Sequence, residues 1–285
     1  MELGMYTPEL ERDGLADLFH AIHGFGFTLA QLDFRSVLGE DMPAHIPAEL
    51  TARIGAAARQ NGVRIVAVNG TFNMIHPDVE VRREGVRRFE TIARAARELG
   101  SPLVSLCTGS RSREGMWRRH EDNDTPEAWS DLAETLRPVI LIAERYDLDL
   151  GVECEASNVV SSPERARRLL DEMRSPRLRI IMDPANLFQA GEARVERVRP
   201  ILRRAFDLLA KDIALAHGKD ILSGDGLRFT SAGRGIVDFR YFFELLHESG
   251  YAGGLILHGI KREEEFRPAV DHINRKIREA GIGPA

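Results

Sequence analysis

A chain of 285 residues with 43% hydrophobic and 29% charged residues has the composition of a soluble globular protein with a sizeable core. Its 39 basic and 44 acidic residues leave a net charge of −5, which argues against a large electrostatic footprint for nucleic acid. No apolar run approaches ~18 residues, no basic-then-apolar leader opens the chain, and Cys107 and Cys154 each sit in an apolar run, as reduced buried cysteines do. The expectation is a cytoplasmic protein with no nucleic-acid or membrane partner, folded as one domain over residues 1–285.

Short apolar runs alternate with longer amphipathic ones. Leu3–Tyr6 reads as a first strand, and Thr7-Pro8-Glu9 as a helix start, with Thr as N-cap, Pro at N1 and an acid in the first turn; that helix runs on through Ile22. Phe27–Leu32 is strand two, followed by a helix from Pro47 to Gln60. Val63–Val68 is strand three. The next helix is the clearest, with Val86, Phe89, Ile92, Ala93, Ala96 and Leu99 at three- and four-residue steps and Gly100 closing it.

Leu103–Cys107 is strand four, and a polar loop from Thr108 to Asp124 precedes a second Thr-Pro-Glu helix start at Thr125. Strand five lies in Asp147–Glu155, strand six is Arg179–Asp183, and strand seven is Ile213–His217, with helices starting near Ser162 and Val195 between them. A glycine-rich loop, Ser223 to Gly235, leads to a helix through Phe239 and Leu246; strand eight is Gly254–His258 and a last helix runs from Phe266 to Ala280. Eight alternating βα units in a chain of this length predict a closed (β/α)8 TIM barrel, of the α/β class. A doubly wound open sheet would want a glycine fingerprint after the first strand, and Tyr6-Thr7-Pro8-Glu9 offers none.

In such a barrel the strand C-terminal ends converge on one face. There the sequence places Glu153, Asp183, His217 and His258, each after its own strand. A buried strand that turns acidic at its tip is costly unless a cation neutralises it. Two carboxylates and two imidazoles make a donor set suited to Mn²⁺, Co²⁺, Fe²⁺, Ni²⁺ or Zn²⁺ rather than Ca²⁺. Glu155, two residues beyond Glu153, is assigned to the surrounding loop, within reach of a substrate.

Leu150-Gly151-Val152-Glu153, Met182-Asp183-Pro184-Ala185-Asn186, His217-Gly218-Lys219-Asp220 and Tyr251 to His258, supported by Gly70-Thr71-Phe72-Asn73 and Cys107-Thr108-Gly109-Ser110, carry a family resemblance. The chain resembles the sugar phosphate isomerase/epimerase group of xylose-isomerase-like TIM barrels, which includes ketose 3-epimerases, hydroxypyruvate isomerase and inosose dehydratase. The resemblance implies a divalent metal (Mn, Mg, Co or Zn) on Glu153, Asp183 and His217, a sugar or sugar phosphate as small-molecule partner, and a homo-oligomer. Two departures stand out: His258 occupies the strand-eight position where the family usually has a Glu, and Asn186 stands where epimerases often place a His.

The expected chemistry is proton abstraction next to a carbonyl through a metal-bound enediolate, with Glu153 as base, His258 as facing acid/base and further ligand, and Glu155 as the substitute for the facing role. The same site could instead serve a dehydratase or lyase acting on an inosose or keto sugar, or belong to a non-catalytic sugar-binding barrel. DNA-repair barrels of the endonuclease-IV type would need further His and acidic ligands on strands two to four, where the chain offers mostly Asp33, His76 and His120. Candidate sugar contacts are Asn73, His76, Trp117, His120, Glu155, Asn186, Lys219, Asp220 and Arg234.

Overall fold

Side chains alternate faces along a strand, so a strand buried on both sides must be apolar in both phases. The computed structural model, which describes residues 1–282, realises this as a closed barrel of eight parallel strands. These are β1 (Leu3–Tyr6), β2 (Leu29–Leu32), β3 (Arg64–Asn69), β4 (Leu103–Leu106), β5 (Asp149–Glu153), β6 (Leu178–Met182), β7 (Ile213–Ile221) and β9 (Leu255–Leu257). Neighbours pair in sequence order, and β9 closes the ring between β7 and β1.

Two layers of apolar side chains result. Leu29, Ala67, Leu103, Ile181, Leu215 and Ile256 fill the barrel interior as one cluster. The opposite phase, including Met5, Leu32, Val104, Val152, Ile180 and Leu257, packs with Phe19, Phe89, Phe242 and Phe266 in the outer core beneath the helices. Gly151 is an interior position where nothing larger fits: a Cβ there would lie 2.6 Å from Ile181 Cγ1. No helix among the described residues is long and apolar enough to cross a membrane.

The outer helices follow the expected grammar where a cap is present. Thr125 accepts from Ala128 N at 3.2 Å to start α5 (Pro126–Tyr146), and Ser162 accepts from Arg165 N to start α6 (Pro163–Met173), with α1 to α4 at Leu15–Gly24, Arg35–Leu38, Ala48–Gln60 and Val79–Leu99. Val195–Leu209, Phe239–Glu248 and Phe266–Glu279 complete the set as α7, α8 and α9.

Two segments depart from the sequence reading. Thr7-Pro8-Glu9 forms only a 3₁₀ turn, and α1 begins at Leu15. The Thr7 hydroxyl accepts from Asp33 N and Ser36 Oγ instead of capping a helix, and Glu9 turns back onto the end of β9. Strand seven is also longer than expected. Beyond His217 it leaves the barrel wall and pairs antiparallel with β8 (Phe229–Ser231), inside the glycine-rich loop, with Lys219 opposite Ser231.

Candidate metal centre

Each barrel strand carries an inward apolar or glycine residue followed, two positions later, by an inward polar one. The pairs run Gly4 and Tyr6, Leu29 and Gln31, Ala67 and Asn69, Leu103 and Ser105, Gly151 and Glu153, Ile181 and Asp183, Leu215 and His217, Ile256 and His258. The interior is therefore a dry plug with a ring of polar groups one pleat above it, at the C-terminal mouth. Above that ring lies a cavity of about 250 Å³ lined by, among others, Tyr6, Gln31, Trp117, Glu153, His217 and His258.

On the β5–β7 side of the ring, one oxygen each from Glu153 and Asp183 and one His217 nitrogen lie within 4.8 Å of one another, all buried. His217 Nδ1 stands 3.6 Å from Glu153 Oε1 and 3.9 Å from Asp183 Oδ2. Asp183 Oδ2 and His217 Nδ1 have no hydrogen-bond partner despite full burial. Two buried, unpaired polar atoms pointing at a common space are expensive unless a ligand occupies it. Ligand atoms on an octahedral ion of Mg²⁺ size stand ~3 Å apart, so slight side-chain adjustment fits these donors to a divalent cation.

Burial disfavours the Glu153 carboxylate, but His217, Lys219 and His258 outweigh it and hold its pKa below the usual range. Burial dominates at Asp183 and, with the charge of Glu153, holds its pKa above the ordinary value despite Lys219. Lys219 Nζ lies 3.5 Å from Asp183 Oδ2 and 4.3 Å from the Phe229 ring centre; burial disfavours its cation, yet Asp183, Glu153 and Glu155 keep it charged. One fixed cation thus faces three buried carboxyl groups. Cys107, also on the cavity wall, is no competing thiolate, because burial pushes its thiol far up.

A family model described as xylose isomerase-like TIM barrel matches residues 19–276. The chain belongs to this family. Among curated relatives of this xylose isomerase-like barrel is the inosose dehydratase of Clostridium perfringens, 26% identical over 152 residues; the match spans half of this chain and half the length of that relative. The solved structures it resembles include a D-tagatose 3-epimerase-like protein (TM-score 0.78, 18% identity, covering 99% of this chain and 98% of that one). The apo 3-keto-D-glucoside 4-epimerase YcjR of E. coli gives TM-score 0.74 at 18% identity, covering 96% and 99%. The IOLI protein, solved with a binding zinc atom, gives 0.67 at 17%, covering 99% and 98%. At these identities the likeness shows the fold.

His258 stands apart from the three-residue group of this xylose isomerase-like barrel. Its Nδ1 is 2.7 Å from Glu9 Oε1, and Glu9 also accepts from the backbone N of Gly259 (2.6 Å) and Ile260 (3.1 Å). The ring packs 5.0 Å from Tyr6 and edge-on at 5.8 Å from His217. Burial disfavours the His258 cation, but Glu9 outweighs it and raises the pKa. Asn186 donates to Glu153 Oε1, and Glu155 is buried, accepting from Ser157 N and Oγ.

The remaining candidates divide by position. Trp117 lines the cavity and is 58% exposed over it. Asn73 is spent on the loop after β4, donating to Ser110 O and accepting from Ser110 N. His76 and His120 each accept from a backbone N two residues on, at Asp78 and Asp122, and neither lines the mouth cavity. Asp220 points out of the barrel and accepts from four backbone N–H groups, of Ile221, Gly233, Gly235 and Val237. Arg234 is paired with Glu265 at 2.6 Å and does not line the cavity.

Tyr6, Gln31, Asn69 and Ser105 line the mouth cavity, and a search for acids and imidazoles at strand ends passes over them. Their signal is the two-residue step from an inward apolar position, readable only once the inward phase is known.

Proposed function

We infer that this protein is a divalent-metal-dependent sugar isomerase or epimerase that works by proton abstraction next to a carbonyl. The observation that carries the reading is the buried group of Glu153, Asp183 and His217, in which Asp183 Oδ2 and His217 Nδ1 make no hydrogen bond. Those three residues would hold the ion. When bound, it would polarise a substrate carbonyl and adjacent hydroxyl, stabilising negative charge as the proton leaves.

The protein's own residues supply the rest. Glu153, with its depressed pKa, is ionised at neutral pH and serves as base, while Asn186 holds its Oε1 in place. His258 faces the same cavity from β9, held at Nδ1 by Glu9, and carries the proton that is returned to the substrate. Lys219 adds a fixed positive charge beside Asp183, and Trp117 offers an apolar face to the cavity. A cavity of about 250 Å³, just below the ~300 Å³ lower end for small-molecule sites, suits a compact polyol.

A second reading, dehydration of an inosose or keto sugar, is favoured by one observation: the strand-eight position carries a protonatable imidazole in place of a carboxylate. His258 would then protonate a departing β-hydroxyl, and the curated relatives named as inosose dehydratases are consistent with it.

The test is a Mn²⁺-reconstituted assay in deuterated water over ketoses, aldoses, inososes and their phosphates. Solvent deuterium should enter the carbon next to the carbonyl with wild-type protein. With Glu153→Gln, incorporation should fall by ~10²–10⁴-fold while sugar still binds. Undiminished exchange in that variant refutes Glu153 as the base, and loss of water without wash-in to recovered substrate selects the dehydratase reading.

A further inference from the structure

The polar ring at the mouth is wired in one direction. His217 Nε2 lies 2.8 Å from Gln31 Oε1, Gln31 Nε2 lies 3.1 Å from Ser105 Oγ, and Ser105 Oγ lies 3.4 Å from Asn69 Oδ1. Asn69 ends the chain on two groups of known polarity. Its Oδ1 accepts from the backbone N of Thr71 at 3.2 Å, and its Nδ2 donates to Asp33 Oδ2 at 2.7 Å. A backbone N–H can only donate, so Asn69 cannot be flipped without setting two donors against each other.

From that fixed end each partner has one choice left. Ser105 must give its hydroxyl hydrogen to Asn69 Oδ1, which leaves its lone pair for Gln31 Nε2. Gln31 then presents its carbonyl oxygen, and His217 must donate to it from Nε2. The proton of a neutral His217 is therefore on Nε2, and the bare lone pair is on Nδ1, the atom aimed at Glu153 and Asp183. All five side chains are at least nine-tenths buried, so these polar groups depend mainly on one another for their hydrogen bonds.

We propose that Gln31 is a positioning residue that locks His217 in the Nε2–H tautomer, its own orientation being dictated through Ser105 and Asn69 by the backbone N–H of Thr71. The lock keeps Nδ1 ready to ligate without a prior tautomer exchange; in its consequence for metal it rests on the reading of His217 as a ligand.

The tautomer can be read without any metal. Long-range ¹H–¹⁵N correlation spectra of metal-free protein, at alkaline pH where imidazoles are neutral, should show His217 with its proton on Nε2. In Gln31→Leu, which is close in size and has no acceptor, the Nδ1–H form should become populated and Mn²⁺ affinity should fall by ~10–100-fold. Gln31→Glu keeps an acceptor facing Nε2 and should keep the Nε2–H form. Ser105→Ala frees the amide to turn and should give a mixture, so the proposal stays testable if Gln31→Leu does not fold. A proton on Nδ1 in the wild type, or a tautomer unmoved in both Gln31→Leu and Ser105→Ala, overturns the lock. If Mn²⁺ binds to no variant while the tautomer still follows Gln31, the lock stands and the metal reading of the site falls.

Discussion

Replacing Glu9 by Gln isolates the contact that joins the first and last strands of the barrel at its mouth. The Glu9 carboxylate accepts three N–H bonds, from His258 Nδ1 and from the backbone of Gly259 and Ile260, and its side chain is 11% exposed. Bonds to a charged acceptor contribute ~1.5–3 kcal/mol each against ~0.5–1.5 for neutral ones. Gln retains one accepting oxygen but turns an NH₂ group toward a donor. With His258 28% exposed, its share is discounted for solvent screening, and the total penalty comes to about 2–3 kcal/mol on the acid side of neutrality.

The pH dependence has a definite sign. The folded His258 pKa is raised by Glu9 above its unfolded value of ~6.5, so the ion-pair contribution is complete below ~6.5 and is lost as pH rises through the folded value. Urea unfolding of wild type and Glu9→Gln from about pH 5.5 to about pH 9 should show the gap between them narrowing to roughly half, the backbone contacts supplying the remainder. A gap of constant size across that range, or none at any pH, would refute the assignment of Glu9 and His258 as a charged pair.

Two further outcomes follow from the packing. Asp183→Asn removes a buried charge whose pKa is already raised by burial and by Glu153, so metal-free stability should change by no more than ~1 kcal/mol, whereas stabilisation by Mn²⁺ in thermal melts should disappear. A large metal-free loss would mark Asp183 as structural instead. Gly151→Ala places a Cβ 2.6 Å from Ile181 Cγ1 and 2.8 Å from its Cδ1, and such overpacking should cost ~1–3 kcal/mol in urea unfolding, with full tolerance showing that the interior plug is not tightly packed.

The fold was legible because each βα unit carries its own punctuation: Thr125 and Ser162 cap their helices, and Gly100 closes α4 in the left-handed conformation. Glu153, Asp183 and His217 were conspicuous because a carboxylate or imidazole at the tip of an apolar strand needs a partner. The opposite wall was not, because Gln31, Asn69 and Ser105 are unremarkable as strand-end residues and carry meaning only when closure of the barrel turns them inward. Thr7-Pro8-Glu9 misled for a related reason. The same three residues satisfy the rules for a helix start, and only the tertiary partners, Asp33 N for Thr7 and the Gly259 and Ile260 amides for Glu9, draw the segment away from one.

The family resemblance puts a carboxylate at the end of the eighth barrel strand, where this chain has His258. The carboxylate has not vanished from that corner of the mouth. Glu9, from the turn after β1, reaches the same place, but there its oxygens accept from His258 and two backbone amides. The group it presents to the cavity is the far side of an imidazole that Glu9 keeps protonated more readily than usual. Under the proposed chemistry the two poles are therefore unequal: Glu153 enters the reaction as a base, and His258 enters as an acid. A pair so biased favours reactions in which a proton is taken at one position and given at another, as in aldose–ketose exchange or loss of a hydroxyl. Inversion of one centre by two matched bases fits it less well, since His258 would first have to shed the proton that Glu9 stabilises.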